Sequence, residues 1–234
     1  MMSDSTSRLP EMVLVPAGVF QMGASESDRF ANDTERPAHE VKIQSFVLGK
    51  MPVTVAQYRC FQPDHAPAEN ADWPVVNVSW QDAQGFCFWL KTETQHSYRL
   101  PTEAEWEYTC RAGCTTAFTH GDDLNAGQAN YLFDEHGQRV GRGERTPVGS
   151  YPANAFGLHD MHGNVCEWVA DLWRANYTDT PQQTEHVIRG GAWDYMPRLL
   201  RSAWRDHLPV SSSRDNVGFR VAADHLNHPD NPDT

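Results

Sequence analysis

Apolar residues in this chain fall in short runs broken by polar loops, so the pattern predicts many short elements and few long ones. Residues 13–22 read as a strand, a turn marked by Pro16 and Gly18, and a second strand. The run HEVKIQSFVLGKMPVT, residues 39–54, alternates well enough for a half-buried strand. Three positions carry the signature of a capped helix start: Thr54 with Gln57, Ser79 with Asp82, and Thr102 with Glu105. They predict a short helix in VAQYRCF, a longer one over residues 80–92, and a third in TEAEWEYTCRAG that Gly113 stops. In the second helix Ala83, Phe86, Cys87 and Leu90 recur at helical spacing, which makes Cys87 a packing residue. Beyond Gly113 the text offers short strands and turns. The expected class is α+β with little regular secondary structure, as a single domain over residues 11–223. The polar ends, 1–10 and 224–234, are expected to be mobile.

Composition narrows the partners. The 234 residues include 8 Trp, 10 Phe and 7 Tyr, enough large anchors to hold irregular chain together. A formal net charge of −12 excludes an extended phosphate-binding surface, so neither nucleic acid nor an anionic membrane is an expected partner. No long apolar run follows a basic start, and the five cysteines have no framework spacing, so reduced thiols in a cytoplasmic protein are expected.

Several constellations could carry chemistry. In GLHDMHGNVCEW, Asp160, Gly163, Val165 and Glu167 alternate carboxylate and backbone oxygens around a tight turn, a donor set that suits calcium. The metal-free alternative is a turn locked by Asn164 and Glu167. His159 and His162 lie three apart without a third ligand at a defensible spacing, and Cys110 with Cys114 has none either. Glu103, Glu105 and Glu107 read as first-turn and capping carboxylates, since residues two apart on a helix do not share a face. Arg189, Arg201, Arg205 and Arg220 are expected to pair with buried carboxylates such as Glu105, Glu167 or Asp171. Among them, Trp193, Asp194, Tyr195, Trp204, Arg205, Asp206 and His207 mix aromatic, polar and charged groups as a ligand-binding surface does. If that surface is catalytic, His207, Asp194 and Tyr195 are the first candidates.

Four motifs in order, YRLPTEAEWEY, GLHDMHGNVCEW, RGGAW and NVGFRVA, resemble the formylglycine-generating enzyme family, also called the sulfatase-modifying factor family. The resemblance runs from Met12 to Ala222 and implies that family's C-type-lectin-related fold. It also implies calcium at the Asp160–Glu167 turn, and a second calcium site that would use Asn130 and the Tyr131 carbonyl. The family's oxidases hold copper with a cysteine pair between the GG-aromatic and GFR motifs. Here Cys166 is the last cysteine, so that pair is missing and neither copper nor iron is expected. Sulfatase activation by a formylglycine-generating oxidase is therefore set aside. What remains is a pseudoenzyme that binds a small-molecule or protein ligand through residues 189–220. The alternative is an accessory oxidoreductase of the pyoverdine-maturation or nitrite-reductase type. GSYPANAFGLHDMHGN is similar to the latter, though that string is widespread in bacterial members.

Overall fold

The computed structural model describes residues 9–66 and 70–224, so the polar ends expected at 1–10 and 224–234 lie almost wholly outside the described residues. In chain order the strands are β1 (Met12–Val15), β2 (Gly18–Met22), β3 (His39–Ile43), β4 (Phe46–Gly49), β5 (Tyr98–Arg99) and β6 (Cys166–Leu172). They continue as β7 (Glu185–Arg189), β8 (Arg205–Pro209), β9 (Val217–Phe219) and β10 (Ala222–Ala223). The helices are α1 (Val55–Arg59), α2 (Trp80–Thr94) and α3 (Glu103–Arg111). The class is α+β, as the sequence predicts.

Each helix begins for the local reason read from the chain. Thr54, Ser79 and Thr102 accept the backbone N–H three residues on, while Gln57, Asp82 and Glu105 reach back to the cap's own N–H. Such a cap is worth about 1 kcal/mol. Helix α2 runs past residue 92 and stops where Gln95 turns left-handed, φ 62°. Helix α3 stops at Ala112, φ 45°, followed by Gly113 at φ 92°. Cys87 lies in the core beside Ala83, Phe86 and Leu90.

Three sheets surround these helices, in the orders β1-β4-β10-β5, β2-β3 and β8-β7-β6-β9. All pairs are antiparallel except β6 with β9. The single strand expected over residues 39–54 is in fact two strands in different sheets, β3 on β2 and β4 on β1. The physical cause is a slip in phase. Residues 41 and 43 face inward in β3, whereas 46 and 48 do so in β4, and one strand cannot bury both sets on one side.

Among the described residues two large apolar clusters and a smaller one, Phe118, Ala129, Tyr131 and Leu200, fill the interior. One large cluster joins α2 to β6 and β9 through Phe86, Leu90, Trp168 and Phe219. The other large one joins α3 to β4 and β7 through Trp106, Phe46, Leu48 and Val187. Between and around them run buried ion pairs. Among the described residues no helix is long and apolar enough to cross a membrane.

Candidate functional site

The segment that follows β7 is irregular chain, and four arginines fix it to the body. Arg189 reaches Glu107 and the carbonyls of Ser202, Ala203 and Trp204. Arg201 forms a two-point pair with Glu35 and a third contact to Asp28, each at 2.7 Å. Arg205 grips Glu103 at 2.7 and 2.8 Å, and Arg220 grips Glu167 at 2.6 and 2.7 Å. Of the partners expected from the sequence only Glu167 is correct. Glu105 holds Arg99 and caps α3, and Asp171 accepts the backbone N–H of Glu103. Glu103 and Glu107 are ion-pair hubs and not mere first-turn charges. They lie four apart, on one face of α3, and that spacing was the available signal. Burial opposes a charge on Glu107, but Arg189 and Arg111 outweigh it and hold the carboxyl below its usual range.

Strand alternation splits the predicted ligand surface. Trp204, just before β8, and Leu208 within it join the cluster under α2, with Tyr195 packed edge-on against Trp204 at 5.7 Å. Arg205 and His207 face the other way, both against the Trp173 indole. Arg205 is buried and belongs to the ion-pair scaffold, not to an open surface. Of the three catalytic candidates, Asp194 and Tyr195 come together and His207 does not join them. The His207 ring instead lies between Glu185 (3.2 Å) and Asp206 (3.4 Å). Asp194 accepts from Asn216, a residue missing from the sequence-based set. The Tyr195 hydroxyl lies beside the Cys166 thiol, which burial, then Asp194 and Asp206, push well above the ordinary range. Trp193 Nε1 and Asn216 Oδ1 find no hydrogen-bond partner among the described residues.

The Asp160–Glu167 turn is interlocked with the segment that follows β7. Gly163 N–H donates to the Gly190 carbonyl, and Trp193 N–H donates to the Asn164 carbonyl. The Asn164 side chain accepts from Asn130 and Thr146 and donates to the Thr146 carbonyl. Both Glu167 oxygens are engaged by Arg220, and one also accepts from Trp106 Nε1. Asp160 accepts the Gly149 N–H through one oxygen and leaves the other without a partner. Val165 is a buried packing residue, and Asn130 pairs with Gly163 backbone to backbone. No three His, Cys, Asp or Glu side chains converge on a cation position among the described residues. The Glu167 carboxylate is thus already engaged by Arg220 and Trp106, while Asp160 keeps one buried oxygen open. EGTA in excess tests the calcium expectation: a drop in the thermal midpoint of about 5 °C or more, reversed by added calcium, would support it, and an unchanged midpoint would count against it.

The two histidines are also kept apart. His159 contacts the Tyr151 carbonyl, while His162 Nδ1 lies 2.7 Å from the Leu200 carbonyl and Nε2 accepts the Thr119 N–H. Burial pushes the His162 imidazole down to about 4, so it stays neutral in the fold. Its unfolded counterpart titrates near 6.5. Stability from this site is present above pH 6.5 and is lost as the pH falls toward 4, by about 3 kcal/mol in total. Urea midpoints across that window should fall for wild type and stay flatter for His162→Gln.

The thiols complete the picture. Cys87, Cys110 and Cys166 are buried, Cys114 is half-buried, Cys60 is exposed, and all five are free. Burial raises Cys87 and Cys110 to about 12. The Cys110 sulfur contacts His162 and the Ser202 hydroxyl, 3.6 Å away, and meets no second sulfur there.

Comparison with known proteins agrees with the motifs. Residues 1–225 match the Sulfatase-modifying factor enzyme 1-like domain. The formylglycine-generating enzyme of Bos taurus is 29% identical over 290 residues, which cover 92% of this chain and 75% of that protein. The serine/threonine-protein kinase pkn1 of Chlamydia caviae is 31% identical across 91% of this chain, a match to 38% of the kinase's length. The structure of PvdO from Pseudomonas aeruginosa superposes with a TM-score of 0.81 at 31% identity, covering 92% of this chain and 95% of PvdO. With its four motifs in order and the matched domain spanning nearly all of it, the chain belongs to the sulfatase-modifying factor enzyme 1-like family.

Proposed function

We propose that this chain is a family member that does not run thiolate oxidase chemistry and instead binds a small-molecule or protein ligand through the face built from Trp193, Asp194, Tyr195, Asp206 and Asn216. The carrying observation is the state of the thiols. Copper(I) needs two convergent sulfurs, and here the three buried thiols sit on α2, α3 and β6 with burial disfavouring the thiolate in each. The ligand face is supported by the Asp194–Asn216 contact and by the unpaired Trp193 and Asn216 atoms beside it, since unsatisfied polar groups ask for a partner or a water.

The test has two arms. Protein incubated with copper(I), reductant, oxygen and a cysteine-bearing peptide should leave the peptide mass unchanged, and loss of the thiol to an aldehyde would overturn the first half. A thermal-shift panel of small metabolites should give hits that Asp194→Ala abolishes. Hits that survive the change place the ligand elsewhere. A second reading, an accessory oxidoreductase, is favoured by the Tyr195 hydroxyl beside the Cys166 thiol. It requires oxygen uptake that Tyr195→Phe removes.

A further inference from the structure

Between β2 and the C-terminal end of α3 lies a cavity of about 440 Å³, within the size range of small-molecule sites. Val19 and Phe20 of β2, Tyr108 of α3 and Phe156 give it apolar walls, and Arg111 and Cys114 border it. Its rings are tilted against one another, Phe20 to Tyr108 at 5.4 Å and Tyr108 to Phe156 at 5.6 Å, so edges and faces are both available to a planar guest. The walls are held in place. The Tyr108 hydroxyl donates to the Pro16 carbonyl and occupies the space that a side chain at Gly18 would need.

The polar end is built on a shared carboxylate. Arg111 and Arg189 both pair with Glu107, and Glu103 lies a further 3.8 Å from Arg189. Arg111 Nη2 is taken by Glu107 and the Gly23 carbonyl. Nη1 meets the Thr116 carbonyl at 3.3 Å, which leaves one of its two N–H groups without an acceptor among the described residues. Arg111 is only 8% exposed. A shielded guanidinium with a spare N–H and a shared counter-ion favours an anionic neighbour. The chain's overall charge of −12 opposes this only weakly, because exposed charges are screened beyond about 8 Å at physiological ionic strength.

We infer that this cavity binds a small aromatic carboxylate, with its ring among Phe20, Tyr108 and Phe156 and its carboxylate on Arg111. The site is separate from the 193–216 face and its test does not depend on that reading. Cys114 is a built-in reporter, since it borders the cavity and is partly accessible, whereas the exposed Cys60 ends α1 elsewhere. Alkylation by N-ethylmaleimide is followed at both thiols by peptide mass spectrometry. Indole-3-acetate serves as the probe and indole-3-ethanol as its neutral counterpart.

For a dissociation constant of about 1 mM, about 5 mM indole-3-acetate slows Cys114 alkylation about sixfold and leaves Cys60 unchanged. Indole-3-ethanol slows it about twofold at most. Val19→Trp fills the cavity from an exposed position, leaves Arg111 intact, and removes the difference between rates with and without the probe. The inference is overturned by no protection of Cys114, by equal protection from the alcohol, or by undiminished protection in Val19→Trp.

Discussion

Replacing Glu107 with alanine is expected to cost the fold about 3–5 kcal/mol, the range for breaking a buried ion pair by removing one partner. The carboxylate is fully buried and serves three groups: the Arg111 guanidinium, the Arg189 guanidinium and the Gly23 N–H. Its removal leaves the buried Arg111 without its carboxylate and Arg189 with only Glu103 at 3.8 Å, and frees the start of the polar loop after β2. A typical domain is stable by only about 5–15 kcal/mol, so the substitution removes a large fraction of the total. Urea unfolding measures the loss directly. Glu107→Gln should cost less, because it keeps acceptor and shape while removing the charge. A loss below about 1 kcal/mol for Glu107→Ala, the value of an exposed pair, would show that the hub does not hold α3 to β7.

Gly163→Ala is expected to be strongly damaging for so small a change. Gly163 has φ 82°, and a Cβ there would collide with the Asn130 carbonyl oxygen and the Leu200 side chain. That carbonyl cannot move aside, because it accepts the Asn164 N–H at 3.0 Å. Left-handed backbone alone costs an L-residue about 1–2 kcal/mol, and the collision should raise the total to at least about 3 kcal/mol. Gly157→Ala is the control. Its φ is 80°, yet nothing lies within 4 Å of the added carbon, so only the conformational cost applies. Equal thermal shifts for the two variants would sink the collision argument.

What could be read in the chain was local. The three reciprocal caps span four residues each and are all present, because a cap depends on nothing beyond one turn. The family motifs were equally legible, as short strings in fixed order. The ion-pair partners were not, since Glu35 meets Arg201 across 166 positions and Glu107 meets Arg189 across 82. No periodicity in the chain encodes such a pairing, although Glu103 and Glu107 on one helical face marked where arginines would be wanted. The division of residues 39–54 was legible in principle, as the slip from odd to even apolar positions around Gln44 and Ser45. At the candidate site the residues were named correctly as neighbours in sequence, but alternation along β8 sends His207 away from Asp194 and Tyr195. A list of side chains cannot show that until the strand is known.

The four anchoring arginines have a consequence for engineering. The stretch from Arg189 to Arg220 is fastened by its backbone neighbours and by guanidinium forks, while Ser211, Ser213, Arg214 and Asp215 stand exposed between the fastenings. A combinatorial library at those four positions touches none of the forks and none of the core. The chain can then serve as a frame for selecting new binders, with thermal stability nearly constant from clone to clone.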